Sequence, residues 1–146
     1  MSFCIDVNIL LYASDRHCAE YDRAAEFLTQ CVDGSEVFCI AWLTAMSYLR
    51  MATHPKIFSS PLTHQEAVEN IEALISMPHA RVLSEREGFW AAYQELSATV
   101  LTRANLVPDV HLAAVLRVNG VRVLYTRDRD FLKFPSLDVR DPIGMM

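Results

Sequence analysis

Aspartates in this sequence stand at three separate places where a regular element would begin or end. One ends the first apolar run of the chain, one precedes a long apolar stretch, and two follow a short β-branched run; they are Asp6, Asp109, Asp128 and Asp130. Carboxylates that gather in one place repel one another, and their pKa values rise unless a cation compensates. Oxygen ligands suit Mg²⁺ or Mn²⁺, which can activate a water and neutralise charge in a phosphoryl displacement.

The segment from Val107 to Phe131 contains three of these carboxylates and predicts the elements that position them. Pro108 and Asp109 indicate a helix start, because Asp is a preferred N-cap residue. The apolar run that follows predicts a helix ending at Asn119-Gly120, and residues 121–125 predict a short buried parallel strand. The last two aspartates then lie past the carboxyl end of that strand, at the edge where open α/β sheets bind ligands.

The rest of the chain alternates between short apolar runs and amphipathic stretches. Further strands are predicted at 3–5, 37–40, 81–83 and 137–139, and further helices begin near Tyr21, Trp42, Thr63 and Phe89. No element is predicted between Asp6 and Tyr21. The alternation predicts one α/β domain over residues 1–146, with a central, mainly parallel five-stranded sheet covered by helices on both faces. Such a sheet brings the four aspartates near one edge.

Composition limits the classes of function that the chain can have. The net charge of −5 argues against indiscriminate nucleic-acid binding. Residues 101–146 nonetheless carry 7 basic and 5 acidic side chains, against 6 and 13 in residues 1–100, which mildly favours a polyanionic substrate. No apolar run approaches the roughly 20 residues of a membrane span, and four cysteines without C-x-x-C spacing indicate reduced thiols. A cytoplasmic location is therefore expected.

Three motifs, kept in chain order, resemble the PIN-domain family. They are the D-x-N of residues 6–8, the P-D-x-H-L-A-A of residues 108–114, and the run from Gly120 through Thr126 to Phe131. More closely, the chain is similar to VapC-type toxins of bacterial toxin–antitoxin modules. The central W-x-x-x-x-x-Y-L-R-x-x-T-H-P of residues 42–55 looks like a VapC subgroup common in mycobacteria. The resemblance covers essentially the whole chain and implies a PIN-like α/β/α sandwich.

The resemblance implies a magnesium-dependent endoribonuclease, with Mn²⁺ as a substitute. Asp6, Asp109 and Asp128 would be metal ligands and Asp130 an auxiliary catalytic carboxylate. A metal-activated water would attack an RNA backbone phosphate, in tRNA or rRNA, leaving a 5′-phosphate and a 3′-hydroxyl and inhibiting translation. The resemblance also implies that two supporting residues hold the carboxylates by hydrogen bonds: Asn8 and Thr126.

The resemblance also implies partners. These toxins are usually homodimers held inactive by a VapB antitoxin, whose C-terminal segment reaches the acidic site. Independently of the family, Arg127 and Arg129 flank the last aspartates and are predicted to contact RNA phosphates. Arg50 is a third candidate for phosphate binding, with an ion pair as the alternative. Aromatic residues at helical spacing are interpreted as core or dimer contacts rather than as base-stacking platforms; they are Trp42, Phe89, Trp90 and Tyr93.

One departure from the family leaves alternatives open. Most members have a Glu in the helix after the second strand, where this chain has Ser47. A catalytically weak or inactive PIN-like module that binds RNA or protein is therefore the second hypothesis. A third is an aspartyl-phosphate domain with Asp6 as the phosphorylated residue. That chemistry usually needs a lysine near the sheet edge, and the only lysines are Lys56 and Lys133.

Overall fold

The computed structural model describes residues 2–144, and its strands and helices alternate along the chain. The strands are β1 (Ser2–Ile5), β2 (Val37–Ala41), β3 (Ala80–Leu83), β4 (Val123–Tyr125) and β5 (Asp138–Arg140). The helices are α1 (Val7–Tyr12), α2 (Tyr21–Asp33), α3 (Trp42–Ala52), α4 (His64–Ile75), α5 (Phe89–Ser97) and α6 (Leu106–Val118). A 3₁₀ helix covers Arg129–Lys133. Over the described residues, no helix is long and apolar enough to cross a membrane.

The five strands form one sheet in the order β3-β2-β1-β4-β5, and all four pairings are parallel. The predicted α/β class and five-stranded sheet are therefore confirmed. The order of the strands changes direction at β1. The chain first adds β2 and β3 on one side of β1, and then adds β4 and β5 on its other side. In open α/β sheets ligands bind in the crevice at such a switch point, beyond the carboxyl ends of the strands.

Helices cover both faces of the sheet, and the strands alternate their side chains between the two layers. Cys4, Cys39 and Leu124 are fully buried in the cluster that includes the apolar side chains of α5 and α6. Ile5 and Ile40 are fully buried on the opposite face, with residues of α1 to α4. This two-sided burial is why the three central strands, β1, β2 and β4, are almost continuously apolar. All four cysteines are free thiols.

The helix that carries Asp109 begins earlier than the sequence predicts. α6 starts at Leu106, and Asn105 occupies the N-cap position, so the prediction that Asp109 is the N-cap is wrong. Pro108 does not stop the helix from starting there, because the first four N–H groups of a helix have no intrahelical partner to lose. Asp109 consequently projects from the first turn of α6.

The segment directly after Asp6 forms a helix that the sequence patterns do not predict. α1 spans only six residues, too few to show a helical period. Asp6 is its N-cap residue, and the carboxylate accepts a hydrogen bond from the Val7 N–H at 2.8 Å. The cap turns the chain sharply at the end of β1 and fixes the first aspartate in place.

The remaining boundaries agree with the predictions to within a few residues. The helix predicted to begin near Thr63 opens with a capping box, in which Thr63 and Glu66 are bonded reciprocally at the start of α4. α6 ends before Gly120, whose φ of 70° is the left-handed conformation that glycine adopts without strain. Val68 of α4 is 41% exposed, although Ala67 and Ile71 on the same helix are buried.

Candidate metal centre at the sheet edge

Asp6 is the most buried of the four aspartates, with 7% of its surface exposed. Besides the Val7 N–H, its carboxylate accepts a hydrogen bond from the Thr126 hydroxyl at 2.7 Å. Burial raises the pKa of Asp6; the two hydrogen bonds lower it, and the nearby charge of Asp128 raises it further. Since both oxygens of Asp6 already have a donor, the carboxylate is held in one orientation.

Thr126 links the end of β4 to the end of β1. Its hydroxyl donates to Asp6 and accepts hydrogen bonds from the Asn8 side-chain amide at 3.1 Å and the Asp128 N–H at 3.0 Å. Asn8 therefore supports the site through Thr126, without bonding a carboxylate itself. The Asn8 amide oxygen also accepts from the Arg127 N–H at 3.3 Å. Thr126 is 1% exposed, so the hydroxyl at the centre of this network is shielded from water.

Three of the predicted carboxylates converge closely. One oxygen from each of Asp109, Asp128 and Asp130 lies within 4.8 Å of the other two, although Asp109 comes from α6 and the pair follows β4. Asp128 is the N-cap residue of the 3₁₀ helix and accepts from the Asp130 N–H at 2.9 Å. This arrangement brings charge of one sign together in a way that a divalent cation would stabilise.

The crowding alters the acidity of Asp109. Burial raises its pKa to about 7, with further contributions from the charges of Asp128, Asp6 and Asp130, while Lys133 lowers it. Lys133 itself pairs with Asp130 at 3.3 Å on the surface. In the absence of a cation, Asp109 therefore holds a proton at a pH where an ordinary aspartate is ionised.

The aspartates open into a cavity of about 310 Å³ at the carboxyl edge of the sheet. Its walls come from the ends of β1 and β4, from α3 and from the start of α6; the polar and charged residues among them are Asp6, Asn8, Thr44, Ser47, Arg50, Asn105, Asp109 and Asp128. Ser47 is thus one of the residues that line this cavity. Thr44 was missed by the sequence patterns, although it precedes Ser47 by three residues and so shares its helix face.

The three arginines predicted to bind substrate have different surroundings. Arg50 lines the acidic cavity and makes no ion pair within the described residues. Arg129 is exposed beside the aspartates. Arg127 instead pairs with Asp141 at 3.2 Å and with Glu20 at 3.8 Å, so its guanidinium is already engaged by carboxylates outside the cluster.

The structure groups the four carboxylates differently from the predicted set of metal ligands. Asp6 lines the same cavity as Asp109 and Asp128, but the group within 4.8 Å contains Asp130 in its place. Asp130 is therefore near enough to the other two carboxylates to share a cation with them. The aspartyl-phosphate hypothesis loses support, because Asp6 is buried with both oxygens bonded and Lys133 pairs with Asp130.

Comparison with known proteins shows what this chain is similar to. A PIN domain is matched over residues 3–137. Ribonuclease VapC48 of Mycobacterium tuberculosis is 39% identical over 144 residues, covering 99% of both chains.

Solved structures share the fold at lower identity. VapC20 of Mycobacterium tuberculosis, described as a sarcin-ricin loop cleaving toxin, superposes with a TM-score of 0.65 at 16% identity, covering 89% of this chain and 92% of that one. VapBC2 of Rickettsia felis, solved with a DNA fragment from the promoter, gives a TM-score of 0.67 at 16% identity, covering 97% and 98%. These likenesses confirm the fold.

We predict that Asp109→Asn changes the pH dependence of stability in metal-free protein. The pKa of Asp109 rises on folding from 3.8 to about 7, so the folded state binds more protons than the unfolded state between these values. The stability that the bound proton provides is present at low pH and is lost as the pH rises through about 7. The unfolding temperature of the variant, measured against that of the wild type at the same pH, should therefore rise by several degrees between pH 5 and pH 8.

Asp33→Asn, at the exposed end of α2, is the matched control for this measurement. The difference between this control and the wild type should stay constant from pH 5 to pH 8 in EDTA. An unfolding temperature of Asp109→Asn that follows the wild type at both pH values would contradict the repulsion described above.

Proposed function

Because this chain belongs to the PIN-domain family and, within it, to the VapC ribonucleases, we propose that it is a Mg²⁺-dependent endoribonuclease acting as the toxin of a VapBC module. Membership confirms the resemblance indicated by the sequence motifs. In this proposal the enzyme cleaves RNA, in the tRNA or rRNA class, and inhibits translation. The observation that carries the proposal is the convergence of Asp109, Asp128 and Asp130, beside Asp6, at the carboxyl edge of the sheet.

The donor set of the cavity fits a hard divalent cation, because its acidic and hydroxyl groups offer only oxygen ligands. Asp6, Asp109 and Asp128 would hold Mg²⁺ or Mn²⁺, and Asp130 would assist them. When bound, such a cation lowers the pKa of a water molecule and offsets negative charge at a phosphate.

The residues around the carboxylates have supporting roles in this proposal. Thr126 would keep Asp6 oriented, and Asn8 would keep the Thr126 hydroxyl directed toward that carboxylate. Asp109 would release its proton when the cation binds, since a ligating carboxylate must be ionised.

We propose that Arg50 and Arg129 contact the phosphates on either side of the cleaved bond. Arg50 lines the cavity and Arg129 is exposed next to the aspartates, and arginine binds phosphate through parallel hydrogen bonds. Arg127 would contribute only if RNA displaced Asp141 and Glu20 from its guanidinium. Local cations of this kind favour RNA binding in a chain whose net charge is −5.

A second candidate is a PIN-like module that binds RNA or protein without cutting it. The observation that favours it is Ser47, which lines the cavity and supplies no carboxylate where most family members have Glu. The same cavity retains four aspartates at or beside it, which is why cleavage remains the leading proposal.

The first prediction of the nuclease proposal concerns RNA cleavage. The purified chain, free of antitoxin, should cut total RNA into discrete fragments with 5′-phosphate ends in Mg²⁺ or Mn²⁺, and EDTA should stop the reaction. Asp109→Asn should lower the rate at least about a hundredfold, because it removes a charged ligand from the reacting centre. Sequencing of the fragment ends measures the products. If the folded protein cuts no RNA in either metal, the hypothesis of a module that binds RNA or protein without cutting becomes the better supported one.

A second prediction concerns the missing carboxylate. Ser47→Glu should tighten Mg²⁺ binding at least about tenfold, because added ligand charge strengthens a cation site. It should also lower the unfolding temperature in EDTA at pH 8, because the carboxylates repel. Calorimetric titration measures the first effect, with Ser47→Ala as the control that adds no charge. Unchanged Mg²⁺ affinity in Ser47→Glu would show that this position lies outside the cation site.

We also propose a homodimer in the cytoplasm, inhibited by a VapB-type antitoxin. Exposed aromatic surface supports the dimer: Trp42 is 45% exposed on α3, and Trp90, 64% exposed on α5, stacks on Tyr93 at 5.5 Å. Sedimentation equilibrium should give twice the mass of the chain, and the product of a small neighbouring reading frame should abolish cleavage. A monomer at all concentrations would refute the dimer, and undiminished cleavage would refute that inhibitor.

A further inference from the structure

The hydroxyl of Thr44 is a buried polar group without a partner. Thr44 is 1% exposed, and within residues 2–144 no atom forms a hydrogen bond with its Oγ1. Buried polar groups in native proteins are nearly always bonded, so each exception calls for an explanation. Thr44 lines the acidic cavity, together with Asp6, Asp109 and Asp128.

The Thr44 hydroxyl does not form the hydrogen bond to a backbone carbonyl that threonines in helices often form. Threonines inside helices commonly donate to the carbonyl one turn earlier, as Thr29 does to Ala25 at 2.9 Å and Thr53 does to Leu49 at 2.7 Å. Thr44 is the third residue of α3, so the chain one turn earlier still belongs to β2. The usual hydrogen bond to a helix carbonyl is therefore not formed, and Thr44 is one of the residues that line the cavity.

We propose that Thr44 is a positioning residue of the metal centre, whose hydroxyl accepts a hydrogen bond from a water of a hydrated divalent cation. The inference rests on the proposed metal-dependent function and extends it to a residue outside the carboxylate set. Mg²⁺ dehydrates reluctantly and keeps several waters, and each of these waters needs acceptors in the cavity wall.

A hydroxyl suits this task at a site that is already crowded with negative charge. Both oxygens of Asp6 have a donor, and Asp109, Asp128 and Asp130 repel one another. Thr44 provides an acceptor without adding to that repulsion. It lies three residues before Ser47 on the same face of α3, so this wall of the cavity offers neutral oxygens where a carboxylate is usual in the family.

Two substitutions separate the hydroxyl of Thr44 from its volume. Thr44→Val keeps the shape and removes the hydroxyl, so metal-free protein should unfold at a temperature at least as high as that of the wild type. Its dissociation constant for Mg²⁺ should rise about three- to tenfold, the equivalent of one hydrogen bond. Thr44→Ser keeps the hydroxyl, so it should retain the wild-type affinity while losing about 2–4 °C of stability with the buried methyl group.

Calorimetric titration with MgCl₂ and MnCl₂, and thermal unfolding in EDTA, measure both quantities on the full chain. Thr102→Val is the matched control, because that hydroxyl bonds to Ser97 away from the cavity. The inference is overturned if Thr44→Val binds Mg²⁺ as tightly as the wild type, or if Thr44→Ser loses as much affinity as Thr44→Val. If the wild type binds neither cation, the metal-dependent function fails and this inference fails with it. Binding by the wild type with no effect at Thr44 refutes the inference alone.

Discussion

The Thr126 hydroxyl is the contact on which the acidic edge of this protein depends. It donates one hydrogen bond to Asp6 and accepts two, from Asn8 and from the backbone of Asp128. A hydroxyl has one donor and two acceptor sites, so all the hydrogen-bonding sites of Thr126 Oγ1 are occupied. These bonds tie the end of β1, the start of α1 and the turn after β4 into one unit. Residues more than a hundred positions apart consequently share a fixed geometry.

The fold also has to tolerate the repulsion among its carboxylates. Three of them stand where helix N-termini present N–H groups: Asp6 caps α1, Asp109 lies in the first turn of α6, and Asp128 caps the 3₁₀ helix. Such positions favour negative charge. The compensation is incomplete, since burial and the neighbouring charges still raise the pKa of Asp109 to about 7. The site therefore retains a repulsion among its carboxylates that a bound cation would relieve.

The sequence predicted the sheet and its acidic edge because those features follow from local patterns. Strands that are buried on both faces can be recognised in the sequence as short, continuous apolar runs. Parallel strands place the residues that follow them at a common edge of the sheet. α1 was missed because it is six residues long and depends on the Asp6 cap rather than on periodicity. The ion pairs that engage Arg127, with Asp141 and Glu20, were not foreseeable from spacing, since they join segments brought together only by the fold.

The acidic group of this site forms without a carboxylate from α3. Asp130 lies within 4.8 Å of Asp109 and Asp128, so a ligand group of three carboxylates forms without any contribution from that helix. The 3₁₀ helix after β4 makes this possible, because it curls the chain so that Asp130 donates its N–H to Asp128 while its side chain stays beside the others. Burial and the neighbouring charges raise the pKa of Asp109, and a carboxylate at position 47, which lines the same cavity, would add to those charges. Within this cavity α3 contributes hydroxyl groups and the Arg50 guanidinium, while the negative charge comes from the first turn of α6 and from the turns after β1 and β4.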